Sequence, residues 1–371
     1  MPEHPEHRHH AGLVRLDERD PHRRGVQRGS STRAEVTRCW SVYEQLFAAH
    51  GLDGPAVRDA ALASLAAVAD WAPDLAAEVS GTAAGAGLEE WQVAALNART
   101  EVLALSTRAR PGECSTIVRP GAPAYSAQTW DWHEELADSW HLQSVQTSER
   151  SYVGLTEHGI LAKIGLNDAG VGVHLNVLGH RRDEPGGVPV HLVTAEVLGR
   201  ATSLEHAVEI LAAAPVRTSS AVTVVAPEGA RTVELSPAGN AVLAPEGERL
   251  LHTNHFLAPE LASGERSELY QPDSSLRLDL LTARVAAGFD PDGPLDLVPY
   301  LCTGPGDAAE ICCSPAPDAK LGDRWATLAT VLLHPADGTV LVAAGSPVQV
   351  GADGWVELRP EGDPAPARPA G

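Results

Sequence analysis

Pro111-Gly112-Glu113-Cys114-Ser115-Thr116 separates two parts of the chain that differ in residue pattern. Ala- and Leu-rich segments with apolar residues at three- and four-residue steps precede it, and short β-branched runs separated by Gly, Pro and Asn follow it. Turn formers stand before Cys114 and a β-forming run stands after it, so Cys114 is predicted to begin a strand at a loop-to-strand junction. A thiol can be exposed at such a junction, which makes Cys114 a candidate nucleophile.

The region before Cys114 is predicted to be mostly helical. Helices are expected over residues 32–50, 55–70, 74–80 and 88–105, and Pro55 suits a first helical turn. Residues 1–30 are polar, and we expect a disordered tail there because such a composition buries too little surface to offset the entropy of ordering. A solvated segment is favoured over a metal site for the histidines of this tail, which are His4, His7, His9 and His10.

The region after Cys114 is predicted to contain strands in groups and helices in groups. Strands are expected over 115–118, 151–155, 161–165, 172–177, 221–226, 232–235 and 241–243, with a closing hairpin over 325–333 and 340–344. Helices are expected over 189–199, 203–213 and 274–287. This grouping favours an α+β layered fold over strict βαβ alternation. Residues 31–113 and 114–360 are expected to form one domain, and 361–371 a second disordered tail.

Composition argues against several classes of function. The 371 residues carry a formal net charge of −21, which opposes binding to nucleic acid or to an anionic membrane surface. The sequence contains no run of 18 apolar residues, so no transmembrane helix is predicted. The five cysteines are an odd number without a CxxC pair, which supports neither a disulfide framework nor a zinc site, so a reducing cytoplasm is expected. No metal or cofactor is expected.

Two polar stretches after Cys114 are candidate parts of a site. Asp131 lies between Trp130 and Trp132, 17 residues after Cys114, and a partly desolvated acid there can hold an amine; spacing alone favours an Asp that caps a turn. Asn176 ends the second strand of a predicted hairpin, where its amide could serve as a donor or simply lie on an edge strand.

Two further stretches concentrate polar groups. The stretch His252-Thr253-Asn254-His255-Phe256 is expensive to bury unless every group is paired, which favours a site. The stretch Asn97-Ala98-Arg99-Thr100-Glu101 interrupts a predicted helix, and an internal network between Arg99 and Glu101 accounts for it.

A catalytic thiol requires a base, and the residues offer two kinds. His252 or His255 could serve as the base in a papain-type pair, but papain-like surroundings of the nucleophile are absent. The other candidate is the α-amino group of Cys114 itself, freed by cleavage of the preceding bond, because its ordinary pKa of about 7.7–8.0 suits proton transfer near neutral pH.

Five motifs occur in order along the chain, and they are Asn97 to Glu101, Cys114-Ser115-Thr116, Gln128 to Trp132, Lys163 to Gly170 and His252 to Phe256. Together they resemble the acyl-coenzyme A:6-aminopenicillanate acyltransferase family (peptidase family C45) of the N-terminal-nucleophile hydrolase superfamily, over about residues 24–347. Glu113 departs from the family pattern, which usually has Gly before the cysteine. The resemblance implies a four-layer αββα sandwich and self-cleavage between Glu113 and Cys114, with the resulting α and β chains remaining associated.

The resemblance also implies roles for individual residues. Cys114 is the expected nucleophile, its α-amine the base and Asp131 the group that positions this amine. Asn254 and Asn176 are expected to hold the oxyanion. Arg324 is expected near the thiol, with Arg277 as its competitor. Expected substrate-binding residues are Trp130, Trp132, His133, His255 and Phe256.

The function expected from this resemblance is a self-activated cysteine amidohydrolase that cleaves a linear C–N amide through a thioester. An acyl-coenzyme A-dependent N-acyltransferase is the alternative on the same fold. An unprocessed pseudoenzyme or binding protein is the alternative of another class.

Overall fold

The computed structural model describes residues 12–106, 108, 114–351, 354–360 and 365–366. Glu113 and the four histidines of the first ten residues lie outside this range, so the predictions about them are not addressed by the structure. None of the helices in the described residues combines the length and the apolar composition needed to cross a bilayer.

The regular elements of the described residues before Cys114 are one short strand and six helices. Asp20 and Asp53 begin two of them, since their side chains accept hydrogen bonds from the backbone N–H groups of Arg23 and Ala56. The helices are α1 Pro21–Ser31, α2 Arg33–Ala49, α3 Gly54–Trp71, α4 Pro73–Ala86, α5 Glu90–Asn97 and α6 Arg99–Leu103.

The single helix predicted over 88–105 is divided into α5 and α6. The Asn97 amide donates to the carbonyl of Gly159, at 2.9 Å, and accepts from the backbone N–H of Leu161, at 3.0 Å. These bonds tie the end of α5 to a distant turn, and the chain resumes as α6 after Ala98. Local periodicity gives no sign of this break because its cause is a long-range contact.

The described strands form two sheets, both mainly antiparallel. The first has eight strands in the order β1-β4-β5-β6-β7-β8-β9-β10, with β1 parallel to β4. Its strands are β1 Leu13–Leu16, β4 Trp140–Gln146, β5 Ser151–Glu157, β6 Ile164–Asn167, β7 Gly172–Val177, β8 Ser220–Ala226, β9 Gly229–Ser236 and β10 Gly239–Leu243.

The second sheet has seven described strands in the order β11-β2-β3-β12-β13-β14-β15. They are β2 Ser115–Arg119, β3 Tyr125–His133, β11 Leu250–His252, β12 Trp325–His334, β13 Thr339–Ala344, β14 Val356–Leu358 and β15 Ala365–Pro366. The pairing of β15 with β14 shows that the expected C-terminal tail is not wholly disordered.

Helices cover the outer faces of both sheets. The remaining helices are α7 Val190–Arg200, α8 Leu204–Ala213, α9 Pro259–Ala262, α10 Ser267–Tyr270, α11 Asp273–Ala287 and α12 Val298–Leu301. Helices α7 and α8 pack on the first sheet, α11 and α12 pack on the second, and the sheets meet through β2 with β7 and through β12 and β13 with β6. The predicted α+β αββα sandwich is confirmed.

The prediction that residues 1–30 form a disordered tail is wrong for residues 12–30. This segment forms β1 and α1, and its polar composition is compatible with order because Arg24 and Arg28 both pair with Glu78 of α4, at 2.6 and 2.9 Å. These side chains are almost completely buried. Composition counts Arg and Glu as solvated groups and does not reveal that they will neutralise each other.

Glycines bring α1 and α4 into close contact. Gly25 and Gly29 of α1 face Gly81 and Gly85 of α4, and a Cβ atom at Gly25 would lie 2.1 Å from the carbonyl oxygen of Glu78. Only glycine fits such an approach of two backbones. The N-terminal segment is therefore joined to the other helices by main-chain contact as well as by ion pairs.

Candidate active site

Cys114 directly precedes β2, and it is buried rather than exposed, with 6% of its surface accessible. It packs in the main core with Trp130 and Trp132 of the neighbouring strand β3. Its Sγ lies 3.9 Å from the backbone carbonyl oxygen of Asp131, to which it donates. The junction predicted from sequence is therefore located inside the protein.

Asn176 reaches this position from the other sheet. Its Nδ2 donates to the carbonyl oxygen of Cys114, at 2.9 Å. Its Oδ1 accepts from the hydroxyl of Thr116, at 2.8 Å, and from Nε2 of Gln128, at 3.3 Å. With the oxygen held by two donors, the amide N–H is oriented toward Cys114. The structure thus brings together Asn176 and Cys114, as expected.

Arg277 of α11 connects the parts of the site, and it is completely buried. Its Nη1 donates to the carbonyl oxygen of Cys114, at 3.1 Å, and to Oγ of Ser115, at 3.0 Å. Its Nη2 donates to Oδ1 of Asn254, at 3.0 Å, and its Nε to Asp273, at 2.8 Å. One guanidinium group therefore fixes the nucleophile relative to Asn254.

Asn254 follows β11, and Arg277 links it to Cys114 by donating to both residues. Its Nδ2 donates to the carbonyl oxygen of Val177, at 2.9 Å, and its backbone N–H donates to Oγ of Ser274, at 2.7 Å. Asn176 thus contacts Cys114 directly and Asn254 is linked to it through Arg277, while the expected roles of the two amides in holding the oxyanion stay predictions.

The expectation that Arg324 lies near the thiol is wrong. Arg324 pairs with Glu134 and Glu135 at a partly exposed position and donates to the carbonyl oxygen of Ala319. The competitor, Arg277, makes the contact with Cys114. The sequence did contain a sign of this, since Asp273 and Arg277 are spaced to pair on one helical face, which fixes an arginine that is to be buried.

Asp131 is buried, and neither of its carboxylate oxygens accepts a hydrogen bond of normal geometry from the described residues. Burial raises the pKa of Asp131 to about 7, against the opposing effects of the nearby Thr327 hydroxyl, whose contact falls outside normal hydrogen-bond geometry, and of the Arg277 charge. Thr327 stands directly opposite it on β12, where the register shifts at Leu328. Such bulges are frequent next to active sites. A buried carboxylate in this condition requires a partner, a cation or a proton donor.

The two histidines proposed as a papain-type base are engaged elsewhere. The ring of His252 lies between Glu234, at 2.9 Å, and the carbonyl oxygen of Thr253, at 2.8 Å. The ring of His255 lies 2.8 Å from Oγ of Ser274, and burial together with nearby positive groups lowers its pKa to about 4. Their arrangement does not support a Cys–His pair.

A cavity of about 200 Å³ borders the site. Its wall includes Asp273, which pairs with Arg277, and Cys313, whose pKa is raised by burial and by the nearby charge of Asp131. The wall does not include the expected substrate-binding residues, which are Trp130, Trp132, His133, His255 and Phe256. Four of them are buried and His255 is half-buried, so their contact with substrate stays a prediction.

The polar stretch Asn97 to Glu101 does not form the internal network expected from sequence. Arg99 pairs with Glu157, at 2.8 Å. Glu101 accepts from the backbone N–H of Val190, at 2.8 Å, and from the hydroxyl of Thr218, at 3.2 Å. The stretch joins the N-terminal helices to the first sheet, and the sequence around Glu157 does not indicate that this residue is the partner of Arg99. No group of three acidic, His or Cys residues in the described part of the chain is arranged to hold a metal.

Solved structures with weak similarity include a hydrolase and an acylase. A mutant of conjugated bile acid hydrolase from Clostridium perfringens is 11% identical, with a TM-score of 0.48, over 69% of this chain and 97% of that one. Penicillin V acylase from Agrobacterium tumefaciens is 13% identical, with a TM-score of 0.37, over 62% of this chain and 83% of that one. Similarity at this level does not contribute to the assignment.

A relative in Emericella nidulans is the acyl-coenzyme A:6-aminopenicillanic-acid-acyltransferase 40 kDa form. It is 30% identical over 182 residues, which are 48% of this chain and 51% of that protein, so the match spans about half the length of the relative. The model of the acyl-coenzyme A:6-aminopenicillanic acid acyl-transferase family matches residues 118–349. The matched range includes Asp131, Asn176, Asn254 and Arg277 and begins just after Cys114. Since it covers more than half of the sequence, the chain belongs to this family.

Proposed function

We propose that this protein is a cysteine amidohydrolase of the N-terminal-nucleophile type, which cuts itself between Glu113 and Cys114 and then cleaves linear C–N amides. One observation carries the proposal. The carboxylate of Asp131 is buried without a normal hydrogen-bond partner among the described residues, on the strand next to Cys114. Cleavage before Cys114 would create an ammonium group that could serve as this partner.

Self-cleavage begins with attack of Cys114 Sγ on the carbonyl carbon of Glu113. The C–N bond then breaks, the nitrogen takes a proton, and Glu113 becomes a thioester on sulfur. Water hydrolyses the thioester, which leaves a carboxyl group on Glu113 and a free thiol and amine on Cys114. The products are chains of 113 and 258 residues, and buried contacts such as Arg99 with Glu157 favour their remaining together.

Amide hydrolysis uses the same groups a second time. The α-amine of Cys114 takes the proton of the thiol, the sulfur attacks the acyl carbon, and the departing amine receives the proton back. The second N–H of each side-chain amide, beyond the one that Asn254 donates to Val177 and Asn176 to Cys114, stabilises the oxyanion. Water then releases the acyl group as a carboxylic acid. Arg277 holds Asn254 and the carbonyl oxygen of Cys114 in place, and Asp131 holds the ammonium.

Transfer of an acyl group from coenzyme A to an amine is the second candidate. The sequence has no linear phosphate-binding motif, but three arginines, Arg181, Arg182 and Arg217, line an open cavity of about 530 Å³. Guanidinium groups suit phosphate binding, although Asp183 and Glu184 line the same cavity and Arg217 pairs with Glu184, at 2.9 Å. Two assays of the purified protein separate transfer from hydrolysis. Formation of an N-acyl amine from acyl-coenzyme A and an amine indicates transfer, and release of the free amine or amino acid from N-acyl amines or N-acyl amino acids in water indicates hydrolysis.

Intact mass after expression tests self-cleavage. We expect the parent protein to give two chains and Cys114→Ala to give one chain of 39.0 kDa. Cys313→Ala is the matched control, because it removes another buried thiol near Asp131 and should leave cleavage unchanged. A single chain of full mass from the parent protein, identical in behaviour to Cys114→Ala, would exclude the mechanism and favour a pseudoenzyme or binding protein.

A further inference from the structure

Glu157 of β5 organises a buried cluster behind the candidate site. Its Oε2 accepts from Arg99, at 2.8 Å from Nη2 and 3.0 Å from Nε, and from Nζ of Lys163, at 2.6 Å. Its Oε1 accepts from the hydroxyl of Tyr43. All four side chains are buried. One carboxylate thus binds two cations, and two of its partners, Tyr43 and Arg99, precede the proposed cut while Lys163 and Glu157 follow it.

Each of the two cations lies over a tryptophan of β3. The guanidinium carbon of Arg99 is 3.9 Å from the ring centroid of Trp132, and Nζ of Lys163 is 4.2 Å from that of Trp130. The indole N–H of Trp132 also donates to the hydroxyl of Tyr43, at 2.9 Å. Buried cation–π contacts are favourable, and their geometry fixes the plane of the ring.

Trp130 and Trp132 are the residues on either side of Asp131. Side chains alternate along a strand, so the two rings point to the Glu157 cluster while the Asp131 carboxylate points to the opposite face, where Thr327 and Arg277 influence it. The backbone between the rings carries the carbonyl oxygen that lies 3.9 Å from Cys114 Sγ. A movement of either ring therefore changes the position of Asp131 relative to the nucleophile.

We propose that Arg99 and Tyr43 are positioning residues for catalysis, acting through Glu157 and the two tryptophans, so that the N-terminal chain remains a working part of the active site after the cut. This proposal rests on the proposed function, because it assumes that Asp131 serves the amine of Cys114. It adds that the products of cleavage build the site together, although every group assigned to the chemistry is on the second chain.

The test compares two buried arginines of the N-terminal chain in the full-length protein. Arg99→Met removes the cation over Trp132. Arg24→Met is the matched control, since Arg24 makes an equally buried pair with Glu78 and both residues of that pair precede the cut. For Arg99→Met we expect kcat to fall about 10-fold or more with KM nearly unchanged, because a small misplacement of a catalytic group lowers the rate strongly. For Arg24→Met we expect a lower Tm and kcat within about twofold of the parent value.

Tyr43→Phe provides a milder variant that keeps the ring and removes only the hydroxyl between Trp132 and Glu157. It should lower kcat several-fold with little change in Tm, and Arg99→Lys should recover part of the activity lost in Arg99→Met. Equal losses of kcat in Arg99→Met and Arg24→Met, or unchanged kcat in folded Tyr43→Phe, would overturn the proposal. The cleavage state of each sample, measured by intact mass, separates this result from failure of the proposed function, in which the parent protein itself would be uncut.

Discussion

Glu157 and Asp131 are both buried carboxylates near β3, but their surroundings differ. Glu157 accepts hydrogen bonds from Arg99, Lys163 and Tyr43, whereas Asp131 accepts none of normal geometry from the described residues. Burial alone would raise both pKa values. The cations hold the pKa of Glu157 well below its ordinary value, while that of Asp131 rises to about 7.

The difference between the two carboxylates separates an indirect role, in which Glu157 holds the surroundings of the site in place, from a direct role of Asp131 in the site. A buried charge with a complete set of partners stabilises the arrangement around it, and removing one partner is costly. A buried acid without partners lowers stability when it ionises, and such groups are concentrated at functional sites. The contrast therefore predicts opposite consequences for the neutral amide variants of Glu157 and Asp131.

Asp131→Asn is expected to have the largest effect on activity. Loss of the carboxylate leaves the Cys114 ammonium without its counter-ion, and we expect kcat/KM to fall about 100-fold to 10,000-fold, the range for a general base or its orienting group. Turnover should be measured per cleaved molecule, with cleavage determined by mass. Activity within a few-fold of the parent value would show that Asp131 has no catalytic role.

Glu157→Gln is expected to have the largest effect on stability. It leaves two buried cations without an anion, which should cost about 3–5 kcal/mol in the free energy of unfolding. Urea unfolding of the uncut Cys114→Ala background measures this without interference from cleavage. If Glu157→Gln and Asp131→Asn changed stability equally in that background, the distinction between the two carboxylates would be lost.

Arg277→Lys tests the site on the Asp131 side of β3. Lysine cannot contact Cys114, Asn254 and Asp273 at once, so we expect kcat to fall about 10- to 100-fold. Arg324→Lys is the control, because its partly exposed pairs contribute at most about 1 kcal/mol to stability and it should keep kcat within about twofold. A larger loss in Arg324→Lys than in Arg277→Lys would restore the assignment made from the sequence.

Over any one pH unit, the pH dependence of stability is expected to be a smaller effect than that of Glu157→Gln. Between about pH 4 and pH 7, Asp131 holds a proton in the folded uncut chain but not in the unfolded chain, so the free energy of unfolding falls as pH rises, by up to about 1.4 kcal/mol per pH unit. In the Cys114→Ala background, Asp131→Asn should remove this slope. The free energy of unfolding of the double variant should then exceed that of Cys114→Ala alone by a margin that grows with pH. Parallel stability curves for the two proteins would contradict the raised pKa.

Much of the fold follows from local pattern, but the centre of the site does not. Helices α2 and α3 lie within two residues of their predicted bounds at each end, and the closing hairpin is also found. Strands β3 and β4 were not predicted. Apolar and polar residues alternate along β3 except at Gln128-Thr129, where two polar residues are adjacent, and both faces of the strand are buried, so its polar side chains do not mark a solvent face.

The site residues divide in the same way. Cys114, Asn176 and Asn254 lie in polar stretches that stand out in the sequence, and the structure brings them together. The spacing of Asp273 and Arg277 indicates an ion pair on one helical face, but the contact of Arg277 with Cys114 depends on how α11 packs, which spacing does not reveal. Arg99 lies in a polar stretch that stands out in the sequence, but nothing there indicates that its partner is Glu157, 58 positions away.

The glycine contact between α1 and α4 also determines how these two helices can slide. Gly25 and Gly29 meet Gly81 and Gly85 at four-residue intervals, and each of these four positions lies against the backbone of the other helix. A shift by one, two or three residues would drive a side chain into that backbone, so the next position free of collision is about one helical turn, or roughly 6 Å, away. The contact therefore prevents small shifts of α1 along α4, and because β1 precedes α1 in the same segment, the same contact helps to hold β1 in its register with β4.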